Sequence, residues 1–382
     1  MMNHFLPKSF LFVLLLVLAL AACQPVPPSS TAEPTVPVFP TDTPAPTGTP
    51  APTATRRPSA TPVPLSEGEF LAAPDAGVLR VMSYNINWDS IFPEGDRENH
   101  EFRIADRQDE FIRLVAAIQP DVLCLQEVNS RRDTRQVADL LTAALGGTPW
   151  NATGARDNVI LSRYPVLSDG YALGVVPLPL DLLQAAALVD LPDAEFGSRD
   201  VYLVCSHFKS SGGADDIALR QRQADVIIHE LADARTPGDS IDLPDLTPLL
   251  VLGDFNIYDT DPAAHFDTLL SGDIADENRY GSDSPPDWDG TALADAMPSL
   301  NAQGLKFYTW REFNSSFRPG ALDRILYSDS VLTLLNTFVL DTTGLSPQAL
   351  AQYGLLAEDV LLDDMPNNYD HLPLIADFQI IP

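Results

Sequence analysis

Leu249-Leu250-Val251-Leu252-Gly253-Asp254-Phe255-Asn256 decides how this chain is read. Four apolar residues in a row form a strand signal, and a glycine then passes the chain straight to an aspartate and an asparagine. The same transition from apolar run to carboxylate, amide or imidazole recurs outward in both directions. It appears at Tyr84-Asn85-Ile86-Asn87, Leu125-Gln126-Glu127-Val128, Ser206-His207-Phe208-Lys209, Leu322-Asp323-Arg324 and Tyr369-Asp370-His371. A single Glu or Asn beside a strand is ordinarily a turn residue, and a single His is ordinarily a core or surface group. Six such clusters, all on apolar runs, are not accounted for by turn chemistry. If the strands lie side by side their ends converge, and a polar cluster forms at the rim of an apolar core, where α/β proteins gather their binding sites.

The spacing predicts strands over Leu79–Ile86, Asp121–Leu125, Asn158–Leu161, Val201–Ser206, Leu249–Leu252, Ala321–Tyr327 and Leu372–Ile380. Between them, Phe111, Leu114, Val115 and Ile118 share one helical face, and Ala224, Ile227, Ile228 and Leu231 share another. That alternation is an α/β pattern, with no repeat of period 20 to 50 residues. Asp283–Gly290 reads as a surface insertion. The chain contains no CxxC pair, no HExxH helix, no P-loop and no GxSxG elbow, so zinc, nucleotide-loop and serine-elbow chemistries lack a signature. Cys124 and Cys205 lie inside apolar runs and are expected to be buried thiols acting as small hydrophobes.

Composition divides the chain. Of 34 prolines, 13 fall between Gln24 and Leu65 together with nine threonines, too little apolar surface for a fold. Residues 24–65 are therefore expected to be a disordered tether, reaching on the order of 100 Å at about 3.1 Å per residue. Before it, Lys8 precedes an apolar run of thirteen residues, Phe10–Ala22. A membrane span needs about 20, so residues 1–23 read as a signal peptide. Its end, Leu20-Ala21-Ala22-Cys23, resembles the lipobox of bacterial lipoproteins, which implies lipidation at Cys23, a membrane anchor and an extracytoplasmic protein. Residues 66–382 form the folded block and carry 20 basic against 51 acidic residues. A groove that holds nucleic acid by charge normally shows the opposite excess. An acidic block suits divalent cations.

As an ordered set, SYNIN (83–87), LQEV (125–128), DNVILSRYP (157–165), SHFKS (206–210), GDFN (253–256), LDRILYS (322–328) and DHLP (370–373) resembles the endonuclease/exonuclease/phosphatase superfamily, over about Leu79 to Ile381. The resemblance implies a four-layer α/β sandwich, with two mixed sheets packed face to face and helices outside. It implies hydrolysis of phosphate esters with Mg2+ or Mn2+, hard cations that take oxygen ligands. Carried onto this sequence, Glu127 is the principal metal ligand with Asn85 beside it, and Asp370 supports a metal directly or through water. Asn87 stands where some members carry Asp, which leaves the site one carboxylate fewer. Asp323 would orient His371 and stabilise its charged form. Asp254 and Asn256 would position the attacking water and the phosphate oxygens, and either Asp254 or His371 would take the water's proton. His207 matches a second histidine of the branches resembling pancreatic-type DNases, sphingomyelinases and inositol-phosphate phosphatases. It would hydrogen-bond a phosphate oxygen or assist the leaving group.

The substrate is less legible. Lys209, with Arg220, Gln221 and Arg222 on the helix that follows, resembles the secreted bacterial nucleases of this superfamily, and Lys209 would meet a neighbouring phosphate. Tyr308, Trp310 and Arg318 would supply a stacking face and a cation, as single-strand contacts require. The acidic block gains little from counterion release, so DNA or RNA competes with a phospholipid or a small organic phosphodiester as substrate. A binding module without chemistry predicts gaps in the catalytic set, and Asn87 is the one departure. The expectation is a monomeric, metal-dependent phosphoesterase, with a secreted nuclease as the first reading.

Overall fold

The computed structural model describes residues 68–92, 106–128, 133–169, 182–238, 241–258, 264–303, 308–311, 318–362 and 370–382. The chain divides into two units, Met1–Thr53 and Ala54–Pro382, and the described residues all belong to the second. The expected signal peptide, Cys23 and the expected tether lie outside the described residues. No helix among the described residues is long and apolar enough to cross a membrane.

The elements run β1 (Val78–Asn85), α1 (Gln108–Ile118), β2 (Val122–Gln126), α2 (Thr134–Leu145), β3 (Asn151–Ala155), β4 (Asn158–Ser162), β5 (Val166–Asp169), β6 (Ala185–Val189), α3 (Asp193–Phe196), β7 (Val201–His207), α4 (Ala214–Ala234), β8 (Leu249–Asp254), α5 (Ala264–Ser271), α6 (Glu277–Tyr280), β9 (Ala294–Asp295), β10 (Ser299–Leu300), β11 (Asp323–Tyr327), β12 (Leu332–Val339), α7 (Pro347–Tyr353) and β13 (Leu374–Ile380). They form two mixed sheets, ordered β10-β12-β13-β1-β2-β4-β3 and β5-β6-β7-β8-β11-β9. The central pairs β1–β2 and β7–β8 are parallel, and β13 and β11 return antiparallel beside them. The sheets face one another, with β2 against β7 and β1 against β8. This is the four-layer sandwich expected from the sequence.

Strand alternation assigns each side chain to a layer. On β7, Val201, Leu203 and Cys205 enter the core between the sheets, while Tyr202 and Val204 face α4 with Ala224, Ile227, Ile228 and Leu231. On β8, Leu250 and Leu252 point inward, and Leu249 and Val251 point to the helical layer. The faces expected of α1 and α4 are the ones buried.

Two expectations are corrected. Cys124 and Cys205 are a disulfide, with Cα atoms 5.5 Å apart, and not two thiols. The physical reason is the alternation just described, which turns Cys124 of β2 and Cys205 of β7 toward each other across the inter-sheet core. Asp283–Gly290 is not a plain surface insertion. Asp287 is fully buried and accepts from the Ser330 amide, while Trp288 packs against both apolar layers.

Candidate active site

The register of the six-stranded sheet puts three of the expected residues in one row. His207 pairs with Asp254 across β7–β8, and Asp254 pairs with Asp323 across β8–β11. Each is in phase with the inward apolar residues of its strand, so all three point between the sheets. The other sheet answers from the same end. Asn85 closes β1 opposite Gln126, Glu127 follows β2, and Asp370 and His371 precede β13. Glu127 (φ 63°), Asn87 (φ 55°) and Asn256 (φ 49°) sit in the left-handed region just beyond strand ends, where the chain turns sharply and strand alternation no longer sets side-chain direction.

His371 Nδ1 lies 2.8 Å from Asp323 Oδ2, and its Nε2 lies 3.5 Å from Asp254 Oδ2. His207 repeats the arrangement from the other side. Its Nδ1 is 2.6 Å from Asp157 Oδ2, and its Nε2 is 3.8 Å from Asp254 Oδ2 and 3.9 Å from Glu127 Oε1. Two carboxylate–imidazole dyads therefore converge on one carboxylate oxygen. Burial opposes charge on both imidazoles, but the surrounding carboxylates outweigh it. Asp157 leads in holding His207 at about 9, and Asp323 leads in raising His371 well above the ordinary value. Burial pushes the Asp254 carboxyl up, against the pull of His371.

Glu127 accepts from Asn85 Nδ2 at 3.0 Å and from the Trp88 amide at 3.0 Å, and burial, aided by Asp370, still raises it to about 7. Asn85 also donates to Asp254 Oδ2 at 3.2 Å, while its own oxygen accepts from the Asn87 amide at 3.0 Å. In this arrangement Asn85 bridges two carboxylates and orients them. The tightest group of donor atoms is Asp254, Asp323 and His371, all within 4.8 Å of one another, but Asp323 and His371 already engage each other. The buried carboxylate oxygens without a hydrogen-bond partner among the described residues are Asp157 Oδ1, Asp323 Oδ1 and Asp370 Oδ1. Buried carboxylate oxygens and a glutamate whose charge is disfavoured are what a hard divalent cation would satisfy, so the donor set fits one.

The substrate-side expectations fare differently. Trp310 is only 6 % exposed. It pairs by backbone bridges with Gly320 and His371, and its ring stands edge-on to Tyr258. Its ring is a wall of the site and not the open stacking face expected, because the segment around it is a staple. The Thr309 carbonyl accepts from Leu372, and Thr309 Oγ1 accepts from Asp323. Lys209 directs Nζ to Ser210 and, at 3.5 Å, to Asp216. Arg318 is exposed, two residues from the Gly320 bridge, and Tyr308 packs partly against the core. Arg220 is fully buried and holds the Lys209 and Ser211 carbonyls at 2.7 Å each, so it shapes the loop after His207. Arg222 is exposed.

Sequence reasoning missed the role of Asp157. It lies in the two-residue turn between β3 and β4, and β4 runs antiparallel to β2, so the turn reaches the edge where Glu127 leaves β2. The signal available was an acid two residues before the apolar run Val159-Ile160-Leu161, much as Asp323 opens its own strand.

A model described as "Endonuclease/Exonuclease/phosphatase family" matches residues 82–346. Among solved structures, the human nocturnin catalytic domain with bound sulfate is 19% identical, with a TM-score of 0.47, covering 81% of this chain and 97% of that one. An endonuclease/exonuclease/phosphatase from Bacteroides vulgatus is 18% identical, with a TM-score of 0.48 and coverages of 80% and 99%. D. rerio TDP2 complexed with single-strand DNA product is 17% identical, with a TM-score of 0.46 and coverages of 79% and 98%. A search of the curated proteins finds no match.

Proposed function

The chain belongs to the endonuclease/exonuclease/phosphatase family and is a phosphoester hydrolase, and we propose that it is a divalent-metal-dependent phosphodiesterase acting outside the cytoplasm as a nuclease. The observation that carries the phosphodiesterase reading is the convergence of His371 Nε2 and His207 Nε2 on Asp254 Oδ2, at 3.5 and 3.8 Å. Such a site offers one base between two cationic donors.

The proton assignments follow from the charges. Asp323 raises His371 well above its ordinary value against burial, which favours its imidazole as a donor, and the proton of the water is assigned to Asp254, whose carboxyl burial has raised. The water oxygen then bonds to phosphorus as the bond to the leaving oxygen breaks. Both Nε2–H groups serve the charge that gathers on the phosphoryl and leaving oxygens. Asn256, whose backbone N–H is fixed on Asp254 Oδ1 at 2.9 Å, holds a second phosphoryl oxygen through its side-chain amide. Glu127 and Asp370, with Asn85 orienting Glu127, would hold Mg2+ or Mn2+, which supplies positive charge to the phosphate and lowers the pKa of water.

Nucleic acid as substrate is supported by the cations at the rim, Lys209 and Arg156, the latter 3.9 Å from Asp157. A location outside the cytoplasm is supported by the fully buried Cys124–Cys205 bridge, since disulfides are rare where thiols are kept reduced. The Leu20–Cys23 lipobox resemblance supports a lipid anchor at Cys23. Hydrolysis of DNA, RNA, sphingomyelin and bis-p-nitrophenyl phosphate, each with and without EDTA, tests the reading. Activity on the diesters that EDTA abolishes is expected, with nucleic acid preferred. Metal-independent turnover, or full turnover in His371→Ala and Glu127→Ala, would sink the mechanism, whereas activity on lipid alone would sink only the nuclease assignment.

A further inference from the structure

We propose that the Tyr258 hydroxyl is a positioning group of the active site, holding the side-chain amide of Asn256 in the orientation that the Phe208 carbonyl selects, so that its free N–H stays aimed at substrate. This inference rests on the phosphoesterase reading above. An asparagine amide can be turned end for end at little steric cost, which exchanges donor for acceptor. At Asn256 the neighbours remove that freedom. The Phe208 carbonyl, 2.9 Å away, can only accept, so Nδ2 must face it. Oδ1 then faces Tyr258 Oη at 2.7 Å, and the phenol donates. One of the two Nδ2 hydrogens is spent on Phe208, and the other is left for a phosphoryl oxygen. A hydroxyl donating into Oδ1 also polarises the amide and strengthens that remaining N–H as a donor.

Tyr258 is itself packed by two side chains tied to the segments that carry the histidines. The Arg220 guanidinium lies over its ring, 5.6 Å from the centroid, and the same side chain pins the Lys209 and Ser211 carbonyls just after His207. Trp310, bridged to His371, stands nearly perpendicular to the phenol ring at 6.0 Å between centroids. The ring could be fixed by this packing without any hydroxyl, so the short bond to Oδ1 is the feature that packing leaves over. Gln223 adds to the same order by accepting from the Lys209 amide at 2.9 Å. The loop after His207 and the loop after Asp254 thus meet through Asn256.

Tyr258→Phe removes the oxygen and keeps the ring against Arg220 and Trp310. With bis-p-nitrophenyl phosphate and Mg2+, kcat is expected to fall about tenfold while KM stays within about twofold and the thermal midpoint is unchanged. In an Asn256→Ala background, Tyr258→Phe should cost nothing further in kcat, because the group it positions is gone. A Tyr258→Phe enzyme with wild-type kcat would overturn the proposal. So would an equal loss in both backgrounds, which would assign the effect to the ring's surroundings. A wild-type protein inactive on every phosphate ester would instead overturn the phosphoesterase reading on which this one stands.

Discussion

Asp157 reaches His207 from the opposite sheet at 2.6 Å, and Asp323 likewise reaches across to His371 at 2.8 Å, so both imidazoles are raised by the same means. Replacing Asp157 by Asn keeps the shape and removes the charge that outweighs burial. The expected result is a fall in kcat/KM of roughly 10- to 100-fold on a phosphodiester, measured at neutral pH. The pair also has a signature in stability. His207 titrates at about 9 in the fold against 6.5 ordinarily, so its contribution is complete below about pH 6.5 and lost as pH rises through 9. Asp157 is held below its ordinary value by His207, although burial works against this, so its share appears above about pH 4 and is lost on acidification. In metal-free protein, the urea midpoint of wild type should therefore exceed that of Asp157→Asn most between about pH 4.5 and 6.5. The gap should close by about pH 9.5, and one independent of pH would contradict the pairing.

At the scale of the strand, β7 and β8 must lie close enough for His207 and Asp254 to share a row, and Gly253 permits it. Gly253 has φ 144°, and a Cβ built there would stand 1.9 Å from the Ser206 carbonyl oxygen. That clash is with backbone and cannot be relieved by a rotamer. Gly253→Ala is expected to lower stability by about 3 kcal/mol or more in urea unfolding, and to lose activity beyond the fraction unfolded. The same residue explains why the fold was legible, since a glycine between an apolar run and an aspartate marks a strand end pressed against its neighbour. Strands with bulky inward residues were readable for this reason. β12 was not, because its register shifts between Leu334 and Asn336 and breaks the alternation that betrays a strand. β3 (Asn151–Ala155) and β6 (Ala185–Val189) escaped because asparagine, glycine and alanine give little β signal, although β6 is almost wholly buried. The candidate site was legible where a carboxylate or imidazole ended a strong strand. Asp157 and Tyr258 were not, since one sits in a hairpin turn and the other acts only through Asn256.

The described residues form two sheets with an apolar core between them and the polar cluster of Glu127, Asp254 and His371 at their strand ends, on a chain of net charge −30. A divalent cation at that cluster would bind the folded state alone, so adding Mg2+ or Mn2+ at about 100 times its Kd should stabilise the protein by about 2.7 kcal/mol. A thermal scan reads this directly, and the shift should be absent in Glu127→Ala. The sheets are also joined covalently. Cys124 and Cys205 are 81 residues apart in sequence, and each stands in a central strand, two or three positions before a site residue. Bridging so long a loop restricts the unfolded chain, and the entropic account gives about 4.5 kcal/mol for a loop of this length. The reduced protein, or the Cys124→Ala, Cys205→Ala double variant, should therefore unfold at markedly lower urea than the oxidised wild type. The comparison separates two roles for the same pair of buried sulfurs. Equal midpoints in oxidised and reduced protein would mean that Cys124 and Cys205 stabilise only by filling space, as two small apolar side chains would.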